Sequence, residues 1–577
     1  MATTPTTTFV RAASRSDVQA AGCVVASVEG HTIALFWDGD AVHAVDNRCP
    51  HMGFPLHRGS VRDGILTCHW HHARFDLCGG GTFDQWADDL RSFPVELRDG
   101  EVWVDVAPRA DQVAHRRRRL RDGLERNLPL VIAKSVIALA DEPDAAFRSG
   151  LEYGVGGRDD GWQQGLTILS CMRSLLPRLA AAQRPRALHH GLAAVASDCQ
   201  GMAPRHLIAP LPGAELGDAD AIERWLREFV EVRDGEGAER AIVSAVRSGA
   251  SGERVAAMLY AAATDHRYLR IGHVLDFTTK ALDALDHAGW ELAEPVLASL
   301  ASSYAEADRA EESSQWRHPI DLVAILDAVF VRLDELPSAA RSDWAPPAGL
   351  TDLLLGEDPQ AIADALLEAL LDGAGPATLA GEVSYAAALR IARFPVSNEF
   401  SDWDTALHTF TFANAVQQGL RRSGSKALVR GVFDAAMSVH LDRFLNVPPA
   451  RLPEAGGASD VGEEQLLELL DGQQRVDEAG AMVWRWLAGG GDPERVIAAL
   501  GRALLREDRD FHTIQMVEAA AAQHDLLRGD QRAWHVLVAA ARYLAAHAPT
   551  ARAQGQTYQI AWRLHRGEHL YEVAEPA

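Results

Sequence analysis

The chain has 577 residues, 47% hydrophobic and 24% charged, which is long and apolar enough for more than one buried core and excludes a disordered chain. A net charge of −24 excludes the basic footprint that a nucleic-acid partner requires. No apolar run approaches the ~20 residues of a membrane span, so no membrane partner is expected.

The opening Met1-Ala2-Thr3-Thr4-Pro5 leads into more threonines and shows neither a charged-then-apolar signal pattern nor a twin arginine. Six cysteines without framework spacing suit a reducing compartment, so a cytoplasmic location is expected. Residues 9–47 read as short strands. The runs at 24–28 and 32–37 are separated by Glu29-Gly30-His31, and Asp38-Gly39-Asp40 offers a hairpin turn before 41–45. Further on, residues 93–97 and 101–106 flank a turn at Asp99-Gly100, which completes a small antiparallel sandwich or barrel.

Between these strands stand Cys49-Pro50-His51 and Cys68-His69-Trp70-His71, sixteen residues apart. Each segment supplies one thiolate and one imidazole. Two Cys on one iron and two His on the other is the ligand set of a Rieske [2Fe–2S] centre. Two Cys and two His are also the set of a tetrahedral zinc site, although zinc fingers pair Cys with Cys and His with His. The surrounding residues, from Gly53 and Leu56 through Gly59 to Phe75-Asp76, resemble the Rieske ferredoxin-type family over residues 8–106. That resemblance implies a [2Fe–2S] cofactor held by Cys49, His51, Cys68 and His71, with the two Cys on the inner iron and the two His on the exposed one. High-potential members carry a further Cys in each loop. Here Met52 and His69 or His72 stand at those places, which implies the lower-potential ferredoxin or oxygenase-feeding type. His69 replaces the usual Pro after the second Cys, and His72 the usual Gly after the second His.

Composition changes abruptly after Pro108. Residues 115–119 are His-Arg-Arg-Arg-Arg, which opens a linker or a basic first helix with a solvated face or an internal acidic partner. From there Ala, Leu, Arg and Glu recur at helical period, most clearly over 220–250, 290–310 and 360–372, with breaks at Pro346-Pro347 and 448–457. An internal repeat marks this part. Gly252-Glu253-Arg254-Val255 resembles Asp492-Pro493-Glu494-Arg495-Val496, and Asp358-Pro359-Gln360-Ala361-Ile362 is a third copy. Each copy precedes a helix expected to open with His: His273, His408 and His512, all fitting His-x-φ-x-φ with φ apolar.

Three His in related positions point to one metal. His266 lies seven residues, two helical turns, before His273, and Asp276 lies three after it, so both are expected on its face. His190 opens another helical stretch. Imidazole with carboxylate suits non-haem iron with open positions for O₂; the bland reading is that these His cap helices or satisfy buried backbone groups. The residues 265–273 with His266 and His273, His408 with Phe410 and Ala413, and Phe511-His512 through Glu518-Ala519 are similar to the questin oxidase-like family. That resemblance implies a helical oxygenase acting on a hydrophobic, even polycyclic, substrate.

The expected fold is multidomain: an N-terminal all-β Rieske fold over 1–108, a linker or basic first helix over 109–130, and a large all-α helical-repeat oxidase or oxygenase domain over 131–577. The function expected is an O₂-dependent oxidoreductase, a mono-oxygenase or oxidase, in which the cluster passes electrons to a metal site in the helical domain, additional non-haem iron at His190, His266, His273, Asp276, His408 and His512. No strand precedes Gly154-Val155-Gly156-Gly157, so no dinucleotide site is expected, and a separate NAD(P)H-dependent reductase or ferredoxin supplies the electrons. The alternative is a non-enzymatic electron carrier or redox sensor with a helical protein-binding scaffold.

Overall fold

A computed structural model describes residues 9–107, 112–213, 218–454, 461–568 and 570. The expected boundary at 108 and 109, the opening threonine run, and part of the break at 448–457 lie outside the described residues. Two compact units divide the chain: Met1–Ala146 with Gln556–Ala577, and Phe147–Gly555.

Among the described residues, the first unit holds ten strands in three antiparallel sheets. One has the order β1 (Phe9–Ser14), β10 (Glu101–Asp105), β9 (Val95–Arg98). The second runs β2 (Cys23–Val28), β3 (His31–Trp37), β4 (Val42–Asp46), β8 (Ser92–Phe93). The third runs β5 (Ser60–Arg62), β6 (Ile65–Thr67), β7 (Arg74–Asp76). Glu29-Gly30 and Asp99-Gly100 turn with both φ positive, as tight hairpins between right-twisted strands require.

β3 explains how these sheets stack. Successive side chains of a strand point to opposite faces. Ile33 and Leu35 enter a core with Val42, Ala44, Val102 and Val104. Ala34 and Phe36 enter the other core, with Val45, Leu56, Leu66, Phe75 and the two motif cysteines. The strand is therefore apolar on both faces, and its second face forms the floor beneath the Cys49 and Cys68 loops.

The basic run folds into the helix Gln112–Glu125 and finds an internal acidic partner: Arg116 pairs with Asp88, and Arg119 reaches Asp88 (Nε–Oδ1 2.9 Å) and the Ala87 carbonyl (2.9 Å). The next helix, Pro129–Ala138, packs Ala133 and Ile137 against Tyr558, Ala561 and Trp562 from the far end of the chain.

Every regular element among the described residues of the second unit is a helix. The three repeat copies are three helix starts, capped by Ser251, Asp358 and Asp492, each side chain accepting from backbone N–H groups of the first turn. The stretch 290–310 differs from the single helix expected. It breaks into short turns at Trp290–Leu292, Ala293–Ala298 and Ala301–Ala305. His273 and His512 stand at helix starts, in His273–Ala288 and Phe511–Leu526. His408 instead lies in the middle of the long helix Phe400–Ser423, which opens eight residues earlier on the capping box of Glu399 and Asp402. This long helix packs against both of the others.

Candidate functional site

In the first unit, two loops face each other above the β3 floor. The Cys49 loop closes on itself through Cys49 N–H to Phe54 O (2.8 Å) and Gly53 N–H to Cys49 O (2.7 Å). The Cys68 loop does so through Cys68 N–H to Ala73 O (2.9 Å) and His72 N–H to Cys68 O (3.0 Å). A side chain at Gly59 would stand 2.4 Å from Thr67 O, so only glycine lets the strands carrying the loops approach this closely. His72 takes the left-handed conformation (φ 63) at the position where the resemblance expects Gly. The loop keeps its shape despite the substitution, at some strain.

Cys49 and Cys68 are 3% and 1% exposed, and the neighbouring Cys49 thiol pushes the Cys68 thiol down. The rings of His51 and His71 are 4.9 Å apart and nearly perpendicular. His71 is exposed, and His51 is half-buried against Trp86. His51 Nδ1 is buried without a hydrogen-bond partner. Burial, with Lys134 and His71 nearby, pushes its imidazole down to about 4, so it is neutral and keeps a free lone pair. Two inner sulfurs, two outer imidazoles and one orphaned ring nitrogen fit the donor set of a [2Fe–2S] cluster. Lys134, from the Pro129–Ala138 helix, donates to the carbonyls of Pro50 and His51 (2.7 Å to the latter). Burial pushes its ammonium down to about 8. Arg48 ties the same loop to the Leu564 carbonyl (3.1 Å). A cavity of about 420 Å³ lies against Cys49, Pro50, Arg48, Lys134 and Leu564.

In the second unit, His273, His408 and His512 come together, each offering a ring nitrogen within 4.8 Å of the others. His408 Nε2 and His512 Nε2 are 2.9 Å apart. Burial pushes His273 down to about 2, with His408 and His512 adding repulsion, and His408 down to about 4. Burial pushes the His512 imidazole down as well, and the neutral ring is the form that ligates a metal. Phe277 and Phe511 wall His273, with ring centroids 5.2 and 5.5 Å away. The chain enters His273 through residues 268–272, where Tyr268 (φ 45), Arg270 (φ 47), Ile271 (φ 50) and Gly272 (φ 91) are all left-handed. At Gly272 a Cβ would stand 2.9 Å from Phe412 Cβ. Strain of this kind collects at functional sites.

The other expected ligands are elsewhere. His266 lies between Glu231 (3.0 Å) and Glu311 (2.8 Å). It does not share a helical face with His273, because the helix Gly252–Thr264 has ended before it and the left-handed segment separates the two. His190 is buried in the helix Arg184–Cys199, its pKa held well below the usual value by burial. Asp276 hydrogen-bonds Gln515 instead, and burial pushes its carboxyl up to about 7. Beyond it, Lys280 and Glu518 form a buried ion pair (2.6 Å).

Sequence reasoning missed Asp404. It stands one helical turn before His408, and its carboxylate lies 3.8 Å from His512 Nδ1, 3.6 Å from His547 Nε2 and 2.5 Å from the Tyr543 hydroxyl, which donates to it. A carboxylate behind a ligating His fixes its tautomer and orientation. The i, i+4 spacing to His408 was the available signal. Asp404 also lines a cavity of about 540 Å³ with Phe400, Asp510, Thr513 and His547.

Residues 8–94 match the Rieske [2Fe–2S] domain. The ferredoxin component of the alkene monooxygenase system of Xanthobacter autotrophicus is 32% identical over 85 residues, 15% of this chain and 70% of that protein. The 4β-methylsterol monooxygenase of Methylococcus capsulatus is 36% identical over 86 residues, 13% of this chain and 23% of that protein. The ferredoxin of carbazole 1,9a-dioxygenase from Nocardioides aromaticivorans is 27% identical in a solved structure, with a TM-score of 0.17, 18% of this chain and 99% of that one. The chain spans between 18 and 23% of the length of the first curated relatives it matches. By residues 8–94 the chain belongs to the Rieske family, and its cofactor is a Rieske [2Fe–2S] cluster. No helix among the described residues is long and apolar enough to cross a membrane.

Proposed function

We propose that the chain is a Rieske-fed, O₂-dependent oxidoreductase. Cys49, Cys68, His51 and His71 hold the cluster, and His273, His408 and His512 hold a second metal, non-haem iron, against a hydrophobic organic substrate. The observation that carries this reading is the meeting of three imidazoles, His273, His408 and His512, more than a hundred residues apart from one to the next, at the end of a strained backbone segment. The relatives named above serve oxygenase systems, so electrons delivered by a separate reductase or ferredoxin to the Rieske unit have an oxygen-activating destination. The cluster, when bound, supplies one-electron transfer; iron, when bound to three His with open positions, supplies oxygen activation.

The chain's residues do the rest. Exposed His71 offers the electron its route in or out, while Cys49 and Cys68 are shut from solvent. Phe277 and Phe511 present apolar faces beside His273, and Asp404 places a carboxylate 3.8 Å from His512 Nδ1. One observation favours the carrier-and-scaffold alternative: His408 and His512 are close enough to satisfy each other by a hydrogen bond with no metal present.

Metal content separates the two readings. Protein purified without oxygen and loaded with iron should hold two irons with two acid-labile sulfides, and further iron that disappears in His273→Ala and His512→Ala while the reduced Rieske EPR signal stays. Only two irons, in wild type and variants alike after loading, would leave the carrier reading standing and remove the oxygenase one.

A further inference from the structure

We propose that Lys134 sets the redox poise of the cluster: its ammonium, held against the Pro50 and His51 carbonyls by a helix that lies outside the Rieske match, stabilises the reduced cluster and raises its midpoint potential. The inference rests on the reading that His51 is a cluster ligand.

The placement is specific. Lys134 is the one charge on the helix Pro129–Ala138, among Val131, Ile132, Ala133, Val136 and Ile137, all buried. A long cation set in such a face is costly unless its head group is satisfied. Here it donates to two carbonyls on consecutive residues of the cluster loop, Pro50 and His51. Arg48, on the same loop, faces away to the Leu564 and Glu568 carbonyls (3.1 and 3.3 Å). Three carboxylates line the cavity with Lys134: Asp88, which already carries Arg116 and Arg119 and has His115 at 3.6 Å, Asp89, which faces His115 at 3.9 Å, and Asp46, which accepts from the Arg48 N–H (2.9 Å). The positive charge of Lys134 is therefore not cancelled by a private partner.

Reduction adds one electron, from the external donor, to the cluster and no compensating proton need move. A fixed cation beside a ligand loop, partly sheltered from water, lowers the energy of that added negative charge more than it affects the oxidised state. The residues 8–94 of the Rieske match do not include this group, so the extension after them gives this cluster a charge of its own. It works against the low potential that the missing loop cysteines suggest.

The test is a mediated redox titration of the holoprotein at pH 7, read by the Rieske EPR signal. In Lys134→Met the ratio of reduced to oxidised cluster at a fixed potential should fall at least tenfold, which is 59 mV for one electron. Lys134→Arg should stay nearer wild type, and Asp88→Asn, which removes a negative charge on the same side, should move the potential upward. Lys134→Met with a wild-type spectrum and a ratio within twofold of wild type overturns the proposal. If Lys134→Met does not hold a cluster, Asp88→Asn decides, and an unchanged or lowered potential overturns it. His51→Ala tests the underlying ligand reading separately: a Rieske signal that survives it removes that reading and the proposal together, whereas its loss beside an unmoved Lys134→Met potential removes the proposal alone.

Discussion

Asp434 shows how a single residue in the helical unit couples folding to pH. Its side chain is 1% exposed, Oδ1 meets Arg267 at 3.2 Å, and Oδ2 has no hydrogen-bond partner among the described residues. Burial pushes its carboxyl up to about 7, outweighing Arg267. An unfolded Asp titrates near 4. Between about pH 4 and 7 the folded chain therefore holds a proton that the unfolded chain has released, so stability falls as pH rises through that window, by at most about 1.4 kcal/mol per unit. The buried histidines act in the opposite sense, because the unfolded chain binds their protons first. Only a comparison isolates Asp434. Asp434→Asn should gain stability relative to wild type as pH rises from 4.5 to 7.5 in urea unfolding of the helical unit. A constant difference across that range would show that the carboxyl does not titrate there. Residues of this kind carry no sequence signal, since an Asp in a helix reads as a solvated face until its neighbours are known.

At the scale of elements, the segment 268–272 decides where His273 points. Ile271 is β-branched, 50% exposed and left-handed at φ 50, a conformation that its side chain resists. The backbone beside it is held by Arg270 N–H to Asp308 O (2.8 Å). Ile271→Asn, which tolerates this conformation, should raise stability by about 1 kcal/mol and leave iron binding at the three histidines unchanged. A loss of stability would mean that the Ile271 side chain contributes packing that its exposure conceals. The same segment explains what the sequence allowed and what it hid. The Cys49 and Cys68 loops were legible because their chemistry is local: ligand, spacing and turn residues lie together within 30 residues. The three histidines were legible as a set because a repeated phrase marked them. His266 was set on the face of His273 because seven residues were counted as two helical turns, and the backbone between the two is not helical.

At the scale of the molecule, the chain returns to its first unit at the end. The helix Ala553–His565 carries Tyr558, Ala561 and Trp562 onto Ala133 and Ile137, and its Leu564 carbonyl receives Arg48 from the cluster loop. An expected boundary between a β domain and everything after it follows the change in composition. The folded units do not, because helices Gln112–Glu125 and Pro129–Ala138 and the last residues join the strands. Composition reports secondary structure, and helices can pack with either partner, so nothing in an Ala- and Arg-rich segment says which core it enters. Removing residues 556–577 should expose the apolar faces of Ala133 and Ile137 and forfeit the burial of Tyr558, worth about 1.5–3 kcal/mol, with the partial burial of Trp562. It also removes the partners of Arg48 and opens the cavity beside Cys49. The expected outcome is selective: the cluster bleaches faster in air and its unit melts at lower temperature, while the helical unit's transition is unmoved. Equal loss in both transitions would mean that the two units unfold as one. An unchanged bleaching rate would mean that the return of the chain contributes nothing to holding the cluster.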